Sequence, residues 1–134
     1  MQKKITILLV DDQEDDLYIF KRALKQVDVS VKCVTAESGK EAVEKLMEDA
    51  EFLPDYIFMD LNMPVMDGKK SIREIRKVKN NKHTPIIIHS TKNLKEDAVN
   101  LIETGASFYF QKPNSIDELA AILEKILSAH IGNK

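Results

Sequence analysis

The sequence predicts an α/β fold: an open, doubly wound parallel sheet of five strands with helices on both faces. Three observations predict it. Short apolar runs alternate with amphipathic segments from one end of the chain to the other, and strands alternating with helices imply parallel pairing through helical crossovers. The runs "ITILLV", "YIFM" and "PIII" show no polar alternation, as expected of strands covered on both faces. The 134 residues suffice for five such units around one core, whereas an eight-unit barrel needs a much longer chain.

Each element has its own justification. Residues 5–10 read as the first strand. Residues 14–27 follow as a helix with Leu17, Phe20, Leu24 and Val27 on one face. "VKCVTA" (31–36) is the second strand, and Ser38-x-x-Glu41 is a capping box. That box opens a helix with Ala42, Val43, Leu46, Met47 and Ala50 turned inward. "YIFMD" (56–60) is the third strand, followed by a helix over about 70–79 carrying Ile72, Ile75 and Val78. "PIIIHS" (85–90) is the fourth strand; a helix over about 94–104 then stops before Gly105, a residue suited to the position after a helix end. "SFYFQK" (107–112) is the fifth strand. Ser115-x-x-Glu118 caps a final helix whose inner face holds Ile116, Leu119, Leu123, Ile126 and Leu127.

Composition narrows the function. Twenty basic against 22 acidic residues give a net charge of -2, without the basic excess of a nucleic-acid binder. The apolar runs are too short for a signal peptide or a membrane span, and the single cysteine, Cys33, reads as a buried reduced thiol. A cytoplasmic protein is expected.

Ligands of doubly wound sheets bind at the carboxyl ends of the strands, so the strand ends carry the functional information. The first strand ends in Asp11-Asp12, the third in Asp60 with Asn62 two residues on, the fourth in Ser90-Thr91 and the fifth in Lys112-Pro113. Three neighbouring carboxylates repel one another and call for a hard cation. Lys112 and Ser90 suit an anion with oxygens to spare, and an aspartate can itself form an aspartyl-phosphate. Taken singly, each residue has a bland role; Asp12, for example, could cap the first helix.

The motifs "LLVDD" (8–12), "DLNMPVMDG" (60–68), "PIIIHS" (85–90) and "GASFYFQKP" (105–113) resemble the receiver domain of two-component response regulators, of the stand-alone, chemotaxis-receiver-like type. The resemblance covers essentially the whole chain. It implies a flavodoxin-like sheet of order 2-1-3-4-5 and one receiver domain over 1–134 with no output domain. It implies Asp60 as phosphoacceptor, Asp12 as a direct Mg²⁺ ligand, Asp11 as a ligand acting through water, and Asn62 as a ligand through its backbone carbonyl. Mn²⁺ could substitute for Mg²⁺. Lys112 matches the lysine that pairs with acceptor and phosphoryl group, Ser90 the switch hydroxyl and Tyr109 the switch aromatic. A cis Lys112–Pro113 bond is also implied.

The chain departs from the family pattern at Thr91, where alanine or glycine is common; Thr91, with Lys92, is expected to tune access to the acceptor. His89 reads as a packed strand histidine, His83 and His130 as surface or helix-end residues, and Glu14, Asp15 and Asp16 as favourable charges at a helix N-terminus.

The implied function is a phospho-acceptor switch, not an enzyme with an external substrate. Its implied partners are a sensor histidine kinase or histidine phosphotransfer protein, and a downstream protein on the face of the fourth helix, fifth strand and fifth helix. It would act as a monomer or weak homodimer, without nucleic acid or membrane. The alternative is a small phosphatase of the haloacid-dehalogenase type, weakened because Asn62 stands where that class needs an acid. A degenerate receiver would lack Asp12, Asp60 or Lys112, and all are present.

Overall fold

The structure is a computed structural model; it describes residues 4–61, 68–78, 81–91, 95 and 98–132. The elements alternate as expected: β1 (Ile5–Val10), α1 (Glu14–Gln26), β2 (Val31–Ala36), α2 (Gly39–Glu48), β3 (Tyr56–Asp60), α3 (Gly68–Lys77), β4 (Ile86–Ser90), α4 (Ala98–Thr104), β5 (Phe108–Gln111) and α5 (Ile116–Gly132). The five strands form one sheet of order β2-β1-β3-β4-β5, and every pairing is parallel.

Strand alternation divides the core into two layers. Ile7, Leu9, Phe58, Ile87 and Phe110 point to one side, where Phe20 and Leu24 of α1 and Leu119, Leu123 and Leu127 of α5 cover them. Leu8, Val10, Ile57, Met59, Ile86 and Ile88 point to the other, under Leu46 of α2, Ile72 and Ile75 of α3 and Leu101 of α4. β3 and β4 are buried throughout, whereas the edge strands β2 and β5 keep exposed positions.

Local chemistry sets the element ends. The Ser38 hydroxyl accepts from Glu41 N at 3.0 Å, and Ser115 does the same for Glu118 at 3.1 Å. α1 (from Glu14) instead has Gln13 at its N-cap position, with no side-chain cap bond. Asp12 is therefore not the cap of this helix; the Asp11 carboxylate accepts from Gln13 N at 3.0 Å. α4 ends in a Schellman turn: Gly105 N donates to Ile102 O and Ala106 N to Leu101 O. Gly105 sits at φ 129°, and a Cβ there would lie 3.2 Å from Ile72 and 3.3 Å from Arg76.

Two expectations need correction. Met47 is 69% exposed and Ala50, beyond the end of α2, is also exposed; Ala42 and Leu46 already form the inward stripe, and Met47 sits about 100° further round the helix. α3 runs over Gly68–Lys77, not 70–79, and Val78 packs from the turn that follows. The described part of α4 begins at Ala98; residues 94, 96 and 97 lie outside the described residues.

Candidate functional site

The sheet brings four strand ends to one rim. β1 leads into Asp11, β3 ends in Asp60, β4 ends in Ser90 and β5 leads into Lys112. Register aligns Asp60 with His89 and Ser90 with Gln111. Past that last pair, Lys112 N donates to Ser90 O at 2.7 Å. By alternation, Asp60 follows Phe58 and Lys112 follows Phe110 toward the α1/α5 side, and Asp11 follows Leu9 the same way. Ser90 follows Ile88 toward the other side.

The Lys112 ammonium is the centre of the arrangement. Its Nζ donates to Asp16 at 3.0 Å and to Asp11 and Asp60 at 3.3 Å each. Asp11 and Asp60 are buried. Asp11, Asp12 and Asp60 each offer an oxygen within 4.8 Å of the others, a hard-oxygen set of the kind Mg²⁺ takes. Burial pushes the Asp11 carboxyl up to about 6, with Asp60 and Asp16 adding to the rise and the Gln13 N–H and Lys112 opposing it. Burial works against the Lys112 charge, but the surrounding carboxylates outweigh it and hold the ammonium above its usual value. Four carboxylates around one ammonium leave the site net negative, a balance that favours a further cation.

The remaining expected residues are distributed as follows. Ser90 is fully buried. Tyr109 is half-buried and packs on the α2/α3/α4 layer, with its ring centroid 6.3 Å from that of Phe108. Thr91 is exposed, its carbonyl accepting from Gln111 Nε2 at 3.0 Å. Thr91, His89, Asp16 and Lys112 line a cavity of about 310 Å³. Asn62 and Lys92 lie outside the described residues.

The Lys112–Pro113 bond is trans, since no cis peptide occurs among the described residues. Trans is the favoured form of an X-Pro bond, and the Lys112 N–H on Ser90 already delivers the ammonium to the carboxylates. His89 is packed as expected, its ring stacked on Phe110 at 5.6 Å. Burial, aided by Lys112, lowers it to about 3, and its Nε2 is buried without a partner. The thiol of the half-buried Cys33 is raised by burial to about 11, which suits an unreactive side chain.

Asp16 was not anticipated as a site residue. Its signal was present: residues 16, 20, 23, 24 and 27 share one helical stripe, and the last four are buried. Asp16 is the rim-side end of that stripe.

The response regulator receiver domain family matches residues 7–124. The chain belongs to that family. It is 36% identical over 124 residues to the two-component response regulator ORR41 of Oryza sativa subsp. japonica, covering 92% of this chain and 95% of the relative. The phosphorylated cyanobacterial phytochrome response regulator RcpA superposes with a TM-score of 0.79 at 28% identity, over 92% of this chain and 91% of that one. The receiver domain of the sensor histidine kinase PA1611 of Pseudomonas aeruginosa PAO1, with magnesium coordinated in its active-site cleft, gives 0.73 at 29% identity, over 92% and 97%. The chain spans only 14% of the first of its longer relatives, the sensor histidine kinase CheAY of Helicobacter pylori.

A receiver domain is a signalling domain of two-component systems, a phospho-acceptor switch that interacts with histidine kinases. Membership does not favour the phosphatase alternative. Among the described residues, no helix is long and apolar enough to cross a membrane.

Proposed function

We propose that Asp60 is the phosphoacceptor of this receiver domain and that Lys112 is its charge partner. The observation that carries this reading is the Lys112 ammonium 3.3 Å from Asp60, beside three convergent carboxylates. An Asp60 oxygen attacks the phosphorus of a phosphohistidine on a sensor histidine kinase or phosphotransfer protein. The new P–O bond forms as the P–N bond breaks, and the imidazole nitrogen keeps the electron pair. Lys112 neutralises the negative charge gathering on the phosphoryl oxygens.

Asp11, Asp12 and Asp60 would hold Mg²⁺, or Mn²⁺ in its place, with the carbonyl of Asn62 as a further ligand. The ion would supply the positive charge that the carboxylate cluster lacks. The Ser90 hydroxyl, at the end of the strand beside Asp60, is the group drawn to the phosphoryl oxygen. Tyr109, half-buried two residues before the register partner of Ser90, follows it inward. Val99 and Ile102 of α4 and Phe108 of β5 are exposed apolar side chains, and they support the α4/β5/α5 face as the output surface.

The test is Asp60→Asn. It is expected to abolish labelling by a radioactive acyl-phosphate donor with Mg²⁺ while the protein stays folded; undiminished labelling overturns the assignment.

A further inference from the structure

The Lys112 ammonium has three N–H donors, and Asp16, Asp11 and Asp60 each take one. A phosphoryl oxygen on Asp60 can therefore reach Lys112 only by taking one of these places: that of Asp60, which gives up its carboxylate charge on phosphorylation, or that of a still-charged competitor, Asp11 or Asp16. The three partners are not equal. The Asp11 and Asp60 side chains are 1% and 6% exposed, whereas Asp16 is 36% exposed. A carboxylate open to water is re-solvated when its cation leaves; a buried one is not. Asp11 and Asp60 also belong to the three-carboxylate cluster, which Asp16 does not. Asp16 nonetheless makes the shortest of the three contacts, 3.0 Å. It does so from α1, whose Phe20 and Leu24 are locked into the core.

We propose that Asp16 is a positioning residue that holds Lys112 in the unphosphorylated state and competes with the phosphoryl group for its ammonium. Asp16 thereby weakens the site's hold on the phosphoryl group, and it returns Lys112 to a fixed resting place when that group is lost. This inference rests on the phosphoacceptor reading of Asp60.

The test is the affinity of the full chain for beryllofluoride, a phosphoryl mimic, with saturating Mg²⁺ at low ionic strength. Asp16→Asn keeps the shape and removes the competing charge. It is expected to tighten binding by about two- to five-fold, the range of a partly exposed ion pair. Asp16→Glu restores the charge and is expected to return affinity toward wild type. Asp15→Asn removes a charge from the same helical turn and controls for general repulsion of the anion; it is expected to change little. Unchanged or weaker binding by Asp16→Asn overturns the proposal, and so does an equal gain from Asp15→Asn. Asp16→Ser takes the same reading if Asp16→Asn melts below the assay temperature. If the wild-type chain itself fails to bind the mimic, it is the phosphoacceptor reading that falls.

Discussion

Lys112 and Arg76 are both half-buried cations that tie distant segments together, and they sit at opposite rims of the sheet. Lys112 follows the carboxyl end of β5 and meets three carboxylates. Arg76, in α3, meets main-chain carbonyls: Gly105 O at 3.2 and 2.6 Å, Asn81 O at 3.1 Å and Thr84 O at 2.5 Å. Those carbonyls lie just before β4 and β5, so Arg76 anchors the entry ends of the strands whose exit ends carry Ser90 and Lys112. Burial lowers the Arg76 guanidinium, whereas carboxylates overcome burial to raise Lys112. The difference is one of exchangeability. A planar fork on fixed carbonyls has one arrangement, while a compact ammonium among anions can trade one oxygen for another. The fold uses the first for position and leaves the second free to act.

The largest effects should separate these roles. Arg76→Met strands carbonyls of residues 81, 84 and 105, each costing about 1–3 kcal/mol when left unpaired. We expect a loss of about 3 kcal/mol or more in urea unfolding, normal phosphoryl uptake per folded molecule, and no rescue by Mg²⁺. Lys112→Met should lose uptake by about two orders of magnitude or more. It should also be destabilised without metal, because Asp11, Asp16 and Asp60 lose their shared cation. Mg²⁺ should restore most of that stability. Equal responses of the two variants to Mg²⁺ would break the distinction.

The same contrast explains what the sequence made legible. β3 and β4 were readable because burial on both faces keeps Ile57–Met59 and Ile86–Ile88 apolar up to the strand ends. The acidic rim was readable because strand ends are few and their residues are chemically unlike the core. Arg76 was invisible: an arginine on an amphipathic helix looks solvated, and no side-chain pattern records a carbonyl. Asp16 reads as a dipole charge beside Glu14 and Asp15, although it shares the stripe of Phe20. Met47 reads as inward because apolar character alone does not show that it lies off the stripe of Ala42 and Leu46.

The carboxylate rim should also titrate, in two opposing ways, in metal-free protein. Asp11 stands at about 6 against 3.8 in an unfolded chain. Between those values the folded state binds the extra proton, so stability falls as pH rises from 4 to 6, by about 3 kcal/mol at the top. His89 stands at about 3 against 6.5. There the unfolded state binds the extra proton, so stability falls as pH drops below 6.5. The two slopes largely cancel between pH 4 and 6. Asp11→Asn should therefore unmask acid lability, and His89→Leu should make the protein more stable at pH 4.5 than at 6.5. Urea midpoints across pH 4–7 measure both; parallel profiles for the two variants would refute the assignment. Arg76 adds no slope in this window.

Thr91 should give the smallest effect and the most local one. Its side chain is exposed at the end of β4, and its structural bond runs through its carbonyl to Gln111, so substitution spares that bond. Thr91→Ala should shift stability by less than about 0.5 kcal/mol. The cavity that Thr91 lines is bounded by Lys112 and Asp16, so removing a β-branched group widens the approach to the ammonium side of the acceptor. Water and small phosphodonors both gain from that. We expect acyl-phosphate labelling and loss of label to quicken together, by about two- to five-fold, a change within about 1 kcal/mol of barrier. A change in only one of the two rates would point to a specific contact of the hydroxyl rather than to access. No change in either would mean that the approach is limited elsewhere on this rim. Neither outcome would touch the Arg76 end of the sheet, where the strands are set whatever passes at their tips.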